Sequence, residues 1–185
     1  VISSEKRSDS NLFGTVLVAS DGTRSVPDIG NSLTITISAA QGATLQAEAD
    51  SYVRSGDYAN DNFGSETLML TKLAGGSYQR RSFLRFDLSA LSGEVTEAKL
   101  KLYVANAGTT VPVNELKLVS DDSWLESGIT WNNQPAASGA AIASWQPVIG
   151  QHVEIDVTSL VTTEKTGDGK LSVMVYSTLD TGGQG

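Results

Sequence analysis

Residues 124–135 read Trp124-Leu-Glu-Ser-Gly-Ile-Thr-Trp-Asn-Asn-Gln-Pro135, two indoles, a carboxylate and a run of amides broken by Gly and Pro. Helix is disfavoured in such a segment, which predicts a shaped connection between strands with its aromatics packed inward. On either side the hydrophobic period is two. Leu84, Phe86 and Leu88 alternate with Phe83, Arg85 and Asp87, and Leu100, Leu102 and Val104 alternate with Lys99, Lys101 and Tyr103. Val153, Ile155 and Val157 alternate with Glu154 and Asp156, and Leu33–Ile37, Leu68–Leu70, Leu116–Leu118 and Val173–Val175 repeat the pattern. Turn residues punctuate these runs at Ser20-Asp-Gly22, Ser55-Gly-Asp57, Ala74-Gly-Gly76, Leu91-Ser-Gly93 and Thr166-Gly-Asp-Gly169. The one helical expectation is a single turn over Thr158–Thr163, capped by Thr158 or Ser159. Many short strands at this spacing predict an all-β fold, a jelly-roll-type antiparallel β-sandwich.

The chain has 185 residues, enough for one substantial sandwich or for one domain with an appendage. Cysteine is absent, which excludes disulfides and thiolate chemistry. A net charge of −8 argues against a general nucleic-acid partner, which would need a clustered basic face. No apolar run approaches the ~20 residues of a membrane span. The chain opens on Val1 with no leader in front of it, so a mature or excised product is expected.

Three stretches, Arg81–Leu88, Trp124–Pro135 and Val153–Thr158, resemble the secreted β-sandwich family called DNRLRE, which overlaps carbohydrate-binding module family 96. The resemblance covers roughly 43–176 well and 1–19 more weakly, and does not extend to 20–42. It implies binding or assembly outside the cell, at an extracellular or cell-surface location, rather than catalysis. It also exposes an oddity at the two ends. In the family a strand like Leu171–Tyr176 is followed by a turn and one further strand, with a Ser-Arg/Lys-Glu element and an aliphatic run. The matching text here stands at the start, in Val1-Ile-Ser-Ser-Glu-Lys-Arg7 and Gly14–Ala19. The expected organisation is therefore a displaced final strand over 1–20, with Ile2, Val16, Leu17 and Val18 as its apolar contacts. A connector with its own short strand follows over 21–42, and the sandwich module occupies 43–185. The displaced strand could complete its own sandwich, fill a neighbour's as in donor-strand assembly, or mark one period of a tandem array. That strand count favours a non-catalytic structural subunit of a fibre or surface array, with itself as partner. The other reading is a carbohydrate-binding module for an acidic polysaccharide.

Period two predicts that Arg81, Phe83, Arg85, Lys99, Lys101 and Tyr103 form one basic and aromatic face. Such a face suits a uronate-bearing glycan, whose carboxylates accept charge-assisted hydrogen bonds. The resemblance adds that family 96 modules are associated with alginate-like acidic glycans. Against this, the same cations could pair across strands with Glu154 and Asp156. Asp57, Asn60, Asp61 and Asn62 offer hard oxygens for calcium, with Asp50 as an extra ligand, although Asx residues before Gly are ordinary turn formers. No other cofactor is implied. Asp121, Asp122 and Glu126 are expected to satisfy backbone and indole donors. Trp124 and Trp131 fit either a sugar-stacking platform or, as the resemblance implies, core anchors, whereas Trp145 is the better candidate for an exposed ring. His152 is the single imidazole, and no nucleophile elbow, phosphate loop or His-rich metal motif accompanies it, so no enzyme is expected.

Overall fold

A computed structural model describes residues 15–18, 34–39, 43–73, 78–107 and 112–178. It is an all-β sandwich of two antiparallel sheets. The first sheet comprises β1 (Thr15–Val18), β2 (Thr34–Ala39), β3 (Ala43–Gln46), β5 (Met69–Thr71), β7 (Val95–Asn106) and β10 (His152–Asp156). Its order is β3-β2-β7-β1-β5, with β10 also paired to β7. The second comprises β4 (Ala49–Arg54), β6 (Arg80–Asp87), β8 (Asn114–Val119), β9 (Ala137–Trp145) and β11 (Lys170–Ser177), in the order β4-β6-β11-β8-β9.

The predicted alternation builds the interior. Leu84 and Phe86 of β6, Val173 and Val175 of β11 and Leu116 of β8 are buried against Leu100, Leu102 and Val104 of β7. Each such side chain contributes roughly 1.5–3 kcal/mol by leaving water, so a one-residue slip of any strand would expose its whole apolar set.

The long strand β7 organises the first sheet. Lys101 pairs with Glu154 on one side and with Thr34 on the other, while Tyr103 pairs with His152 and Val18. Strands β2 and β1 therefore share one edge of β7 end to end, and β10 takes the opposite edge. The N-terminal strand lies in its own chain's sheet, with Val16 opposite Leu70 of β5 and Leu17 opposite Val104 of β7. Ile2 lies outside the described residues, as do the side chains of Val16, Leu17 and Val18. The short strand of the predicted connector is also a sheet member, since β2 joins β3 to β7.

Two elements differ from expectation. The single helical turn is a nine-residue helix, α1 (Thr158–Thr166), that buries Val161. Asp156 Oδ1 accepts the Thr158 amide at 2.9 Å just before the helix, whose N-cap, Val157, has no side-chain cap bond. Thr158 Oγ1 instead accepts the Ala98 amide of β7 at 2.9 Å. Strand β9 carries no period-two signal in its sequence. It forms because its backbone pairs with β8, with Gly139 at φ +67 where the register shifts.

Candidate functional site

The expected basic and aromatic face is two faces. Strands β6 and β7 belong to different sheets, and their outward positions point away from each other across the sandwich. Lys99, Lys101 and Tyr103 stand on the outside of the first sheet, and Arg81, Phe83 and Arg85 on the outside of the second. Period two assigns a side relative to a strand's own interior neighbours, and carries no information on which sheet that strand joins.

On the first sheet the charges are locally matched. Lys101 Nζ lies 2.8 Å from Glu154 Oε1 across the β7–β10 ladder, and Lys99 Nζ lies 2.8 Å from Glu97 Oε1. The hydrogen bond to Lys101 holds the Glu154 carboxyl below its usual range, and Glu97 raises the Lys99 ammonium. Tyr103 packs beside His152, with ring centroids 5.2 Å apart.

On the second sheet Phe83 points outward and is nonetheless fully buried. The 124–135 loop lies over it. Trp124 meets the Phe83 ring edge-on at 6.2 Å, and Ile129 joins them with Ala49, Val53, Val119 and Met174 in a second hydrophobic core. Phe83 is therefore a core residue rather than a surface aromatic. Trp124 Nε1 donates to Ser172 Oγ at 3.0 Å, so a hydroxyl and not the expected carboxylate cluster satisfies this indole. Of that cluster, Asp121 instead accepts the Ser123 amide, and Glu126 accepts the Asp50 amide at 3.0 Å.

Arg85 fastens the start of the loop. Its guanidinium lies 5.1 Å from the Trp124 ring centroid and donates to the Asp122 and Trp124 carbonyls and to Glu48 Oε1. Residues 60–64 fasten the middle. Asn62 Nδ2 donates to the carbonyls of Glu126 at 2.7 Å and Ile129 at 2.8 Å, and Asn132 Nδ2 donates to Asn60 Oδ1 at 2.7 Å. A Cβ on Gly64 would stand 2.2 Å from the Glu126 carbonyl oxygen, so only glycine permits this approach. Asn60 and Asn62, expected among four calcium ligands, thus tie two loops together, while Asp57 and Asp61 are exposed. Among the described residues no three acidic or imidazole groups converge as a metal would need.

Past Trp131 the loop borders an open groove of about 450 Å³ on the same face. Arg81 of β6, Met174 and Tyr176 of β11, Lys117 of β8, and Gln134 and Pro135 of the loop line it. The ladder explains their company, because Arg81 pairs with Tyr176, and Met174 pairs with Lys117. The Arg81 guanidinium lies 4.6 Å from the Trp131 ring centroid and donates to Gln134 Oε1 at 3.2 Å. Lys117 Nζ lies 5.5 Å from the centroid of Tyr176, whose hydroxyl donates to Glu115. Burial, followed by that bond to Glu115, pushes the Tyr176 phenol up to about 12, so it stays neutral near pH 7. Trp131 is half-buried, both packed on the second core and covered by Arg81. Trp145, expected as the exposed ring, is half-buried against the main core. Lys117, Gln134 and Tyr176 had no signal of their own in the sequence, since strand pairing alone brings them to Arg81.

A sandwich with an open groove on one sheet, edged by the Tyr176 ring and two cations, suits a binding module. The chain belongs to carbohydrate-binding module family 96, whose family model matches residues 41–184. It is also 34% identical over 116 residues to a gellan lyase from a Bacillus species, which covers 60% of this chain and 5% of the relative. The chain thus spans about a twentieth of that relative's length. Among the described residues no helix is long and apolar enough to cross a membrane.

Proposed function

We propose that this chain is a non-catalytic module, working outside the cell, that holds an acidic polysaccharide in the groove of the second sheet. One observation carries the reading: Arg81, stacked on Trp131, and the Lys117–Tyr176 pair line one open groove. Aromatic faces suit the C–H faces of pyranose rings. The two cations suit carboxylates, Arg81 through its planar fork and Lys117 as a point charge. The gellan lyase relative supports a polysaccharide as the ligand class, and the matched pairs on the first sheet support the second sheet as the binding face. Trp131 and Gln134 orient Arg81, and Tyr176 offers a neutral ring.

Affinity electrophoresis through gels containing polygalacturonate, alginate, gellan or a neutral glucan tests this. Retardation is expected in the acidic gels and should weaken with salt. Arg81→Ala/Lys117→Ala should weaken binding about tenfold or more, as expected for loss of charge-assisted bonds. Undiminished retardation of that variant would remove the groove from consideration.

A further inference from the structure

Arg80 precedes Arg81 on β6 and points to the other side of its strand, so the two neighbouring cations serve different surroundings. Arg80 is the register partner of Arg54 on β4 and also bridges to Lys72. Like charges directly opposite in an antiparallel ladder repel, and a carboxylate between them is the usual remedy. Among the described residues the ion pairs of this protein involve neither arginine. Arg80 is only 7% exposed, and its Nε and that of Arg54 are both buried with no hydrogen-bond acceptor. A buried donor left in that condition destabilises the fold. Burial and the Arg54 charge lower the Arg80 pKa, against which only the Tyr52 and Tyr58 phenols act. The charges felt around Arg80 are thus a second guanidinium and two phenols, with Glu66 acting on the Tyr52 phenol.

Arg54, the less buried of the two, lies between aromatics. The Arg54 guanidinium lies 3.6 Å from the Tyr58 ring centroid and 5.4 Å from that of Tyr78. Both rings reach the surface, 37% and 41% exposed. The loop carrying Tyr58 also touches the groove loop, since Asn132 donates its amide to the Ala59 carbonyl at 3.2 Å.

We propose that Arg54 and Arg80 form a second anion site, which takes a carboxylate of an acidic glycan with its sugar ring against Tyr58 or Tyr78. A carboxylate at the guanidinium of Arg54 relieves the repulsion between the two cations, which a neutral sugar cannot do. The inference takes its ligand class from the groove reading and its location from separate residues. A polymer that engages both sites gains by effective concentration.

The experiment follows arginine Nε–H resonances of the ¹⁵N-labelled full chain during titration with sodium glucuronate. Sodium chloride at matched ionic strength is the control. Two resonances, assigned by their disappearance in Arg54→Lys and Arg80→Lys, should shift saturably with glucuronate and not with chloride. The shifts should persist in Arg81→Ala/Lys117→Ala. Arg54→Gln, at the more accessible position, should raise the melting temperature and weaken polygalacturonate binding several-fold. Equal shifts with chloride would overturn the site, as would shifts that vanish with the groove variant. Tighter response to sulfate than to glucuronate would overturn the glycan assignment. Should the polymer fail to bind while the glucuronate shifts persist, the groove reading falls and the second site stands.

Discussion

Asp50 illustrates how a single residue reports its surroundings. Burial, and then the neighbouring charge of Glu126, push its carboxyl from 3.8 up to about 6. A folded-state value above the unfolded one means that the neutral form is favoured in the native protein. Its contribution is complete below about pH 4 and is lost as the pH rises towards 6. Asp50→Asn removes the charge and spares the backbone amide that donates to Glu126. The variant is expected to gain on the order of 1–2 kcal/mol at pH 7 and nothing at pH 4. Urea midpoints at the two pH values check this, and an equal change at both would show that the carboxyl does not titrate in this window. Phe83 and Arg85 make a related point. Their outward direction was legible from alternation, but a loop roughly 40 positions downstream covers one and engages the other.

At the scale of elements, strand β1 carries the main consequence. It sits between β7 and β5, so its removal leaves Met69–Thr71 and the far end of β7 unpaired on that edge. We propose that residues 1–20 belong to the same module as 43–185. Deleting residues 1–20 should then destabilise the protein on the order of 3 kcal/mol, or roughly 6–12 °C for a chain of this size. The intact chain should stay monomeric at every concentration in sedimentation velocity. Polymers of the intact chain that dissolve on deletion would instead restore complementation between neighbours. The strong elements were readable because burial on one face imposes a strict period. Strand β9, with its Ala-rich run and Gly139, had no such period, since an edge strand answers mainly to the backbone of its partner. Helix α1 was undercalled because only Val161 of its nine residues is buried.

For the molecule as a whole, the two outer faces divide the work. The first sheet pairs its cations with Glu97 and Glu154 in exposed, solvent-screened bridges. The second sheet turns Arg81 and Lys117 towards a groove. Lys99→Ala/Lys101→Ala is therefore expected to leave retardation in acidic-glycan gels unchanged, measured alongside the groove variant. Loss of retardation in the Lys99/Lys101 variant would return binding to the first sheet.

Family membership, the all-β class, the inward set of the strongly periodic strands and the aromatic loop were all readable from residue order, because local periodicity and local motifs encode them. Which sheet each strand enters was not. Arg81, Lys117 and Tyr176 come from three strands far apart in the chain, and only the packing of the shared core sets the register that makes them neighbours. The same packing parts Arg81 from Lys99 and Lys101, although they stand close in sequence, because β6 and β7 must face each other to bury their apolar sides.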